Sequence, residues 1–584
     1  MFLVLLETSG NQNYIFSTNK LRENVGASEA TYRACSQWVL EAVTQITQQP
    51  LWDDNAEQLQ SNLLNRSLNP PIEEEAANHR IEVIVAASGK AMVLTRELSD
   101  AKRIIQEVTL KALKHAPGLD VCGAIVEFDW GKESLAGASR RLHQQFEVVR
   151  SLKPSPKSRF LRLPIVEDCR TSGLPAADWV QEPDGLVAKS SVSLNKKKWA
   201  NDALGNNELK INGRLPKLLE GSGYQFIKST NELLNKQLEV EWLAVIHADG
   251  NGLGQIFIKL DQYIGATPPN SHRDRYFIDQ FRQFSLELDS CTRKAFLNAI
   301  EVFPKDTSED APNPLKLVPL VLGGDDLTVV CDAKNAFAFT KAFLENFELH
   351  TQQSHVISRI AAKAFGLDEL SGLLSACAGI SIVKPHFPFS EAYQLAEELT
   401  KSAKVVKDVV TKNGQSIPCA AIDFHVLYDT QSTGLNIIRE KLTFATEKTR
   451  LYNRPYIMSD IDRIIQMTGE QETLKQWLNS HHWVELRKRV NALRLEDDEG
   501  RRCLPNSQMH TLREGLFLGR KGADGQYELI RKRYAPQIDQ IAASNDSSSL
   551  FWQDTENDCY ATGLLDAMDI AEFWSTALEP QSEQ

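Results

Sequence analysis

Short apolar runs that end in glycine and acidic residues alternate along this chain with longer segments whose apolar residues recur at helical spacing. The central pattern is residues 315–330, LKLVPLVLGGDDLTVV, in which two apolar runs flank a Gly-Gly-Asp-Asp sequence. Gly323 and Gly324 permit the positive φ angles of a tight turn. The pattern therefore predicts a two-stranded hairpin that carries Asp325 and Asp326 at its tip.

A further acidic position follows an apolar run upstream. Residues 240–257, VEWLAVIHADGNGLGQIF, predict a strand that ends at Asp249, a glycine-rich turn and then a helix. Gly250, Gly252 and Gly254 would let backbone N–H groups and the helix N-terminus approach phosphates closely. An EF-hand calcium loop is not indicated, because the later acidic positions and the twelfth-position Glu are missing. A dinucleotide-binding fingerprint is not indicated either, because the glycine spacing differs.

The segments after the hairpin continue the alternation of strand and helix. Their apolar periodicity predicts a helix at 333–350, a strand at 373–383, a helix at 389–409 and a strand at 416–428. Together with the first strand, its following helix and the hairpin, these elements contain the order βαββαβ. That order, with acids at the first strand and the hairpin, is the palm architecture of polymerases and class III nucleotide cyclases.

Three lysines recur at every third position of the predicted helix 389–409. They are Lys401, Lys404 and Lys407. Such a row most often forms a solvated helix face. Lys404 is the exception that we expect to supply a counter-charge to a triphosphate.

The three acids suggest a particular chemistry. A strand-end acid that faces an acid pair at a hairpin tip is a recurring way to hold two divalent metals, and ligands that are all oxygen suit Mg²⁺ or Mn²⁺. Two such ions support phosphoryl transfer, one at the attacking hydroxyl and one at the triphosphate. An ordinary Gly-Asp hairpin turn would also explain the Gly-Gly-Asp-Asp motif taken alone.

Four motifs together resemble one family, the large palm-domain subunit of type III CRISPR effector complexes of the Csm/Cmr type. They are ADGNGLG at 248–254, GGDD at 323–326, CAGI at 377–380 and AEELTKSAK at 396–404. Members of that family carry two palm domains, and the second converts ATP into cyclic oligoadenylate messengers. The resemblance implies a nucleotidyltransferase that uses two Mg²⁺ or Mn²⁺ ions and ATP.

The resemblance also implies roles for particular residues. Asp249, Asp325 and Asp326 would be the catalytic metal ligands, and Lys404 would contact the triphosphate. Further nucleotide contacts are expected at Gly250, Asn251, Gly252, Gly323 and Gly324.

An internal repeat strengthens this interpretation. The chain opens with FLVLLETSGNQNYIF, a strand that leads into Glu7, and IEVIVAASGKAMVL follows as strand, turn and strand. Glu7 precedes Ala87 by 80 residues, and Asp249 precedes Gly323 by 74. Ala-Ser-Gly-Lys replaces Gly-Gly-Asp-Asp in this first copy. Because Lys90 would repel a bound cation, we expect the first palm to be catalytically inactive.

The chain departs from the family in two respects. Many members begin with an HD nuclease domain, whereas the first predicted strand here begins at residue 2 and no His-Asp dipeptide occurs, so we expect no such nuclease activity. Members also often carry a zinc site between the palms. Residues 167–176, EDCRTSGLPA, resemble half of that element, but Cys169 has no CxxC partner, and structural zinc takes four N or S ligands. We therefore predict a degenerate, metal-free remnant.

The expected fold class is α+β, with two ferredoxin-like (βαββαβ) palm domains, a degenerate linker domain between them and a helical C-terminal domain. The boundaries are placed at 1–150 for the inactive first palm, 151–234 for the linker, 235–430 for the catalytic palm and 431–584 for the helical domain.

Composition sets broad limits. With 584 residues, 42% hydrophobic content and a net charge of −12, the chain can form several full cores and is not a general nucleic-acid-coating protein. Nine separated cysteines suit a reducing cytoplasm. The apolar start meets Glu7 after six residues, which is too short for a signal peptide or a membrane span. We expect a cytoplasmic protein without membrane association.

Two functions of different class remain open from the sequence. The first is the synthesis of a cyclic oligoadenylate-type messenger from ATP in antiviral defence, inside a guide-RNA complex or alone. The second is a scaffold that assembles with effector subunits and guide or target RNA with little or no catalysis. A diguanylate-type synthase is a weaker alternative, because the fourth hairpin position is Asp326 and the Glu-Phe of that family is missing.

Overall fold

Most of the chain can be described from a computed structural model. The described residues are 1–74, 80–154, 156–182, 185–204, 214–227, 240–268, 272–305, 312–368, 371–428, 434–469, 472–534, 538–543, 546–554 and 558–575. The domain boundaries expected at 234/235 and 430/431 lie outside these residues. The expected boundary at 150/151 falls inside a helix that ends at Leu152.

The N-terminal part forms a four-stranded antiparallel sheet. Its strands are β1 (Phe2–Ser9), β2 (Ile81–Ala87), β3 (Lys90–Thr95) and β4 (Asp120–Glu127), in the spatial order β2-β3-β1-β4. The helices of this part are Asn11–Ile15, Leu21–Cys35, Gln37–Thr47, Ala56–Leu64, Leu98–His115 and Leu135–Leu152. Helices connect β1 to β2 before the hairpin and β3 to β4 after it, so this part of the chain is a βαββαβ unit.

The segment that follows is smaller and contains little regular structure. Strands β5 (Ala176–Glu182) and β6 (Gly185–Ser190) form a hairpin, and β7 (Tyr224–Phe226) is a short separate strand. Helix Ser191–Ala203 packs against helix Leu21–Cys35 so closely that a Cβ on Gly26 would lie 1.7 Å from the carbonyl oxygen of Lys196. The short helix Arg214–Leu218 completes the segment.

The central part contains a six-stranded sheet built around a second βαββαβ unit. The strands of this central part of the chain, in chain order, are β8 (Leu243–Gly250), β9 (Asn313–Leu315), β10 (Leu317–Gly323), β11 (Asp326–Asp332), β12 (Ala376–Val383), β13 (Thr411–Lys412), β14 (Gln415–Ser416) and β15 (Ala421–Val426). Five of them form the sheet together with one strand of the C-terminal part. Of these, β10, β11, β8, β12 and β15 lie side by side in that order. β9 pairs with β7, and β13 pairs with β14.

Helices cover both faces of the central sheet. They are Leu253–Ile258, Leu260–Tyr263, Arg273–Ala299, Ala333–Gln353, His355–Phe365, Phe389–Ala403 and Val406–Val409. Helix Phe389–Ala403 connects β12 to its parallel neighbour β15 and lies directly on the sheet, because Gly379 has no side chain there. A Cβ on Gly379 would lie 2.1 Å from the carbonyl oxygen of Ala396 in that helix.

The C-terminal part is mostly helical. Its helices are Leu435–Lys441, Ile461–Thr468, Glu472–His481, Trp483–Arg494, Asn506–Phe517, Arg520–Tyr534 and Leu564–Ile570. Its strands are β16 (Thr443–Phe444), β17 (Thr449–Arg450), β18 (Tyr456–Ile457), β19 (Trp552–Asp554) and β20 (Cys559–Ala561). β18 extends the central sheet beside β15, whereas the other four strands form a small sheet that the sequence did not indicate.

Corresponding strands of the two βαββαβ units pair in the same register. Glu7 of β1 lies opposite Lys90 of β3, and Ala248 of β8 lies opposite Leu327 of β11, so Asp249 faces the position of Asp326. Both hairpins close with a two-residue turn, because Ala87 pairs with Lys90 and Gly323 pairs with Asp326. The mixed α and β structure with a palm domain is confirmed, and the internal repeat is visible in the paired strands.

Candidate active site

Three carboxylates meet at one edge of the central sheet. Asp249 is near the end of β8, and Asp325 and Asp326 are at the tip of the β10–β11 hairpin. One carboxylate oxygen from each lies within 4.8 Å of the others. Among the residues that the structure describes, this is the one group of at least three His, Cys, Asp or Glu side chains with such spacing.

Glycines allow this approach. Gly324 has a φ of +62°, and it occupies the first central position of the two-residue turn, where glycine is favoured. Gly250 has an ordinary backbone conformation but no space for a side chain. A Cβ there would lie 2.7 Å from Oδ2 of Asp325 and 2.4 Å from Cδ1 of Leu253. Gly250 therefore lets the hairpin tip contact the end of β8.

The acids strongly perturb one another. Burial, followed by the negative charge of Asp249, raises the pKa of Asp325 to about 6. Burial and the charges of Asp325 and Asp249 raise the pKa of Asp326 well above its ordinary value. Such crowding is costly at neutral pH unless positive charge is close, so the donor set and its charge fit one or two hard divalent cations.

Lys404 provides the nearest cation. Its ammonium group contacts the carboxylate of Asp249 and donates a hydrogen bond of 2.9 Å to the carbonyl oxygen of Gly250. Lys404 follows the last residue of helix Phe389–Ala403, which lies along β8 and β12 and so directs the lysine to this edge. The structure thus brings four of the residues suggested by sequence into one site.

The remaining glycine-rich residues have different surroundings. The side-chain amide of Asn251 donates hydrogen bonds of 3.0 Å to Ser375 Oγ and to the carbonyl oxygen of Cys419, so it points toward the strands and away from the acids. Gly252 has a φ of +75° and precedes helix Leu253–Ile258. Gly323 is the last paired residue of β10, and Gly324 is the first residue of the turn.

The corresponding position of the first palm holds an internal cation. The ammonium group of Lys90 lies 3.7 Å from Oε2 of Glu7 and 2.8 Å from Nε2 of His143. Burial and the positive charge of Lys90 lower the pKa of His143. A lysine side chain therefore occupies the place where the second palm carries its acid pair.

Two neighbouring cavities lie between the palms, and the smaller one reaches Asp326. The smaller, about 110 Å³, is lined by residues that include His247, Asp326 and Thr328. The larger, about 810 Å³, shares with it Phe16 of the first palm and Tyr393 of helix Phe389–Ala403. Those two rings stack with centroids 3.6 Å apart. Sequence reasoning assigned neither Phe16 nor Tyr393 to the site, because a single aromatic position carries no local signal of such a role.

Two further side chains contact the hairpin turn, and the sequence did not indicate them. Asp289 and Thr292 belong to the long helix Arg273–Ala299, and both form hydrogen bonds with Gly324. They precede the turn by more than thirty residues and belong to no motif, so no sequence signal pointed to them.

Fold and site together define a palm domain whose clustered carboxylates are suited to binding divalent metal. Residues 242–413 match the family model described as Cas10/Cmr2, second palm domain. The match covers fewer than a third of the 584 residues. It confirms the resemblance to the large palm-domain subunit of type III CRISPR complexes. The expected lack of an HD nuclease domain stays a prediction.

Solved structures of Csm1 are distantly similar to the chain. The Csm1–Csm4 cassette in complex with cA4 is 15% identical, with 92% of this chain and 68% of that chain covered and a TM-score of 0.36. Csm1 of T. onnurineus is 17% identical, with the same coverage and a TM-score of 0.35. The apo Csm1–Csm4 cassette is 14% identical, again with that coverage, and has a TM-score of 0.39. A search of curated proteins found no match.

Two further expectations can be compared with the structure. Cys169 is buried, and its sulfur lies 3.3 Å from Thr171 Oγ1 and 3.6 Å from Ser193 Oγ, so hydroxyl groups surround it. The metal-free linker stays a prediction. In the described part of the chain, no helix has both the length and the apolar character that crossing a bilayer requires.

Proposed function

We propose that this chain is a metal-dependent nucleotidyltransferase that makes cyclic oligoadenylate-type messengers from ATP in antiviral CRISPR-type defence. The reaction joins the 3′-hydroxyl of one ATP to the α-phosphate of another and releases pyrophosphate. The observation that carries the proposal is the cluster of Asp249, Asp325 and Asp326, placed at the sheet edge by Gly250 and the hairpin turn. The match to a Cas10/Cmr2 second palm agrees with it.

The residues of the site would have different roles in the reaction. Asp249, Asp325 and Asp326 would hold two Mg²⁺ or Mn²⁺ ions, which supply charge neutralisation at the phosphates and a lower pKa for the attacking hydroxyl. Lys404 would exchange its contact with Asp249 for the triphosphate, because that carboxylate is neutralised once a divalent cation is bound. Gly252, Gly323 and Gly324 would leave space for a nucleotide at the turn, whereas Gly250 would act by letting the hairpin tip approach β8.

The proposed cyclic oligoadenylate synthase would also have particular binding partners. We propose that the enzyme works in the cytoplasm with other subunits of a guide-RNA effector complex and that target RNA sets its activity. The first palm would lack catalysis of its own, because Lys90 already occupies the place of a cation beside Glu7. It would instead supply one wall of the nucleotide cavity through Phe16.

Product formation tests the proposal directly. Purified protein would be incubated with labelled ATP or mixed nucleoside triphosphates and Mg²⁺ or Mn²⁺, and the products separated by mass. The Asp325→Ala/Asp326→Ala variant should make no product, whereas Asp408→Ala, an exposed acid on another helix, should behave as wild type. A cyclic or oligomeric product that needs the intact acids supports the synthase and identifies the base.

The other outcomes separate a gated enzyme from a scaffold. If no product forms but ATP binds only with metal and only with intact acids, the site requires an activating RNA complex, which would then be added. If ATP binds neither with nor without metal, the synthase is contradicted and a scaffold subunit is the better description.

A further inference from the structure

The turn that carries the acids is held from outside its own hairpin. The backbone N–H of Gly324 donates a hydrogen bond of 3.3 Å to Oδ1 of Asp289. The hydroxyl of Thr292 contacts the carbonyl oxygen of the same glycine. One helix, Arg273–Ala299, thus binds both peptide groups that flank Gly324.

These contacts fix the part of the turn that could otherwise rotate. Gly323 pairs with Asp326, so the peptide between Gly324 and Asp325 is the central peptide of a two-residue turn. Gly324 has positive φ and Asp325 does not, as in a type II′ turn. Rotation of the central peptide would convert the turn to type I′, in which both residues have positive φ. The carbonyl that Thr292 contacts belongs to that peptide.

The orientation of this peptide decides where Asp325 points. In the observed turn, the carboxylate of Asp325 packs against Gly250 at the end of β8, close to Asp249. A change in the sign of its φ would move Cβ and the carboxylate away from that position. Thr292 is completely buried, so loss of its hydroxyl could not be replaced by bulk water.

We propose that Thr292, with Asp289, is a positioning residue that selects the turn conformation in which Asp325 can bind metal. The proposal rests on the metal-binding role given to the acids under the proposed function. Thr292 does not contact the metal or the nucleotide and acts only through the turn. Groups that orient metal ligands in this way typically change metal affinity about 10- to 100-fold when they are removed.

Mn²⁺ binding to the purified full chain tests this without turnover. Free Mn²⁺ would be measured by electron paramagnetic resonance during titration of wild type, Thr292→Val, Thr292→Ser and Thr340→Val. The hydroxyl of Thr292 also lies 3.1 Å from the carbonyl oxygen of Leu288, one helical turn back. Thr340 is the matched control, because its buried hydroxyl makes the same kind of bond, to Ala336 at 2.7 Å, in a different helix, Ala333–Gln353. We expect Thr292→Val to weaken binding at least about 10-fold, Thr292→Ser to restore most of it and Thr340→Val to change it less than about twofold.

Two comparisons make the result decisive. If Thr292→Val binds Mn²⁺ as wild type does, while Asp325→Ala/Asp326→Ala binds it poorly, the positioning role is overturned and the proposed function stands. If the double variant also binds as wild type does, the acids are not the metal site and both proposals fail. Should Thr292→Val not fold, Asp289→Ala against Asp289→Asn, which keeps an acceptor oxygen for Gly324, gives the same comparison.

Discussion

Asp325 and Asp326 carry more negative charge than their immediate surroundings neutralise. Among the residues that the structure describes, Lys404 is the cation in contact with the cluster, through Asp249. Burial and like charge together raise the pKa values of both hairpin acids. Such an imbalance of charge disfavours the ionised acids, and bound cations would relieve it, as expected of metal ligands rather than of structural ion pairs.

The strain predicts an unusual pH dependence of stability. In the folded chain the pKa of Asp325 is about 6, above the value near 3.9 of an unfolded aspartate. Ionisation of Asp325 therefore lowers the stability of the fold above pH 6, and this loss of stability disappears as the pH falls toward 4. In chelator at pH 7.5, Asp325→Asn should therefore melt about 2–4 °C higher than wild type. The difference should shrink at pH 5. Thermal melts at both pH values, with Mn²⁺ added afterwards, check this, and a lower midpoint at pH 7.5 would contradict it.

Lys404 and its neighbour Lys407 make a matched pair for testing the triphosphate contact. Lys404→Met should raise the KM for ATP about 10- to 100-fold, because a charge-assisted hydrogen bond to phosphate is lost. Lys407→Met should leave KM nearly unchanged, since Lys407 is exposed. Steady-state kinetics under conditions in which product forms give both values. Equal effects of the two substitutions would argue for general electrostatics instead of a specific contact.

Among the elements, the contact between the end of β8 and the β10–β11 hairpin decides whether the three acids meet. The strands alone would place Asp249 opposite Asp326, as the matching register of the first palm shows for Glu7 and Lys90. Bringing Asp325 into the cluster requires in addition that the turn pack onto Gly250 without an intervening side chain.

Alanine substitutions at two nearby glycines separate this packing from backbone flexibility. Gly250→Ala should weaken Mn²⁺ binding at least about 10-fold, because its Cβ would overlap Asp325 and Leu253. Gly254→Ala should be neutral or slightly stabilising, since no atom lies within 4 Å of its added Cβ and alanine favours the helix that it occupies. Titration with Mn²⁺ and a thermal melt of each variant measure both effects. A wild-type metal affinity for Gly250→Ala would show that the approach is not needed.

At the scale of the whole molecule, one helix connects the two palms and the acid-bearing turn. Arg275 and Arg282 of helix Arg273–Ala299 both bond to Glu82 of β2, which is completely buried. Although burial opposes ionisation of Glu82, the two guanidinium groups outweigh it and lower its pKa. Further along the same helix, Thr292 contacts Gly324.

Removing the buried charge should loosen the palms from each other. Glu82→Gln would leave two arginines without their main partner, and loss of one partner of a buried pair costs about 3–5 kcal/mol. Arg66→Gln removes only an exposed 3.5 Å pair with Asp279 and should cost less than about 1 kcal/mol. Urea denaturation of the two variants measures the difference. Equal midpoints would mean that the buried network contributes little to the interface.

Much of this architecture could be predicted because its causes are local in sequence. Apolar alternation and glycine placement predicted the strands of the second palm, three of the four strands of the first, the two hairpins and the three acids, whereas β4 was not located from the sequence. The elements around them were placed with small differences: the helix expected at 389–409 ends at Ala403 before a separate turn, and the last strand is shorter than 416–428. Element ends depend on capping and packing that periodicity does not report.

The sequence by itself determined the two βαββαβ units and the chemical character of the second, because strand pattern, turn type and carboxylates are encoded within short segments. The tertiary structure decided which distant groups join the site. Lys404 meets Asp249 because a helix packs tightly on Gly379, Phe16 reaches Tyr393 because the palms face each other, and Thr292 holds Gly324 because a long helix lies beside the hairpin. The side chain of Asn251 was drawn toward the strands by the same packing. Such contacts follow from how whole elements fit together in space, and no short segment carries that information.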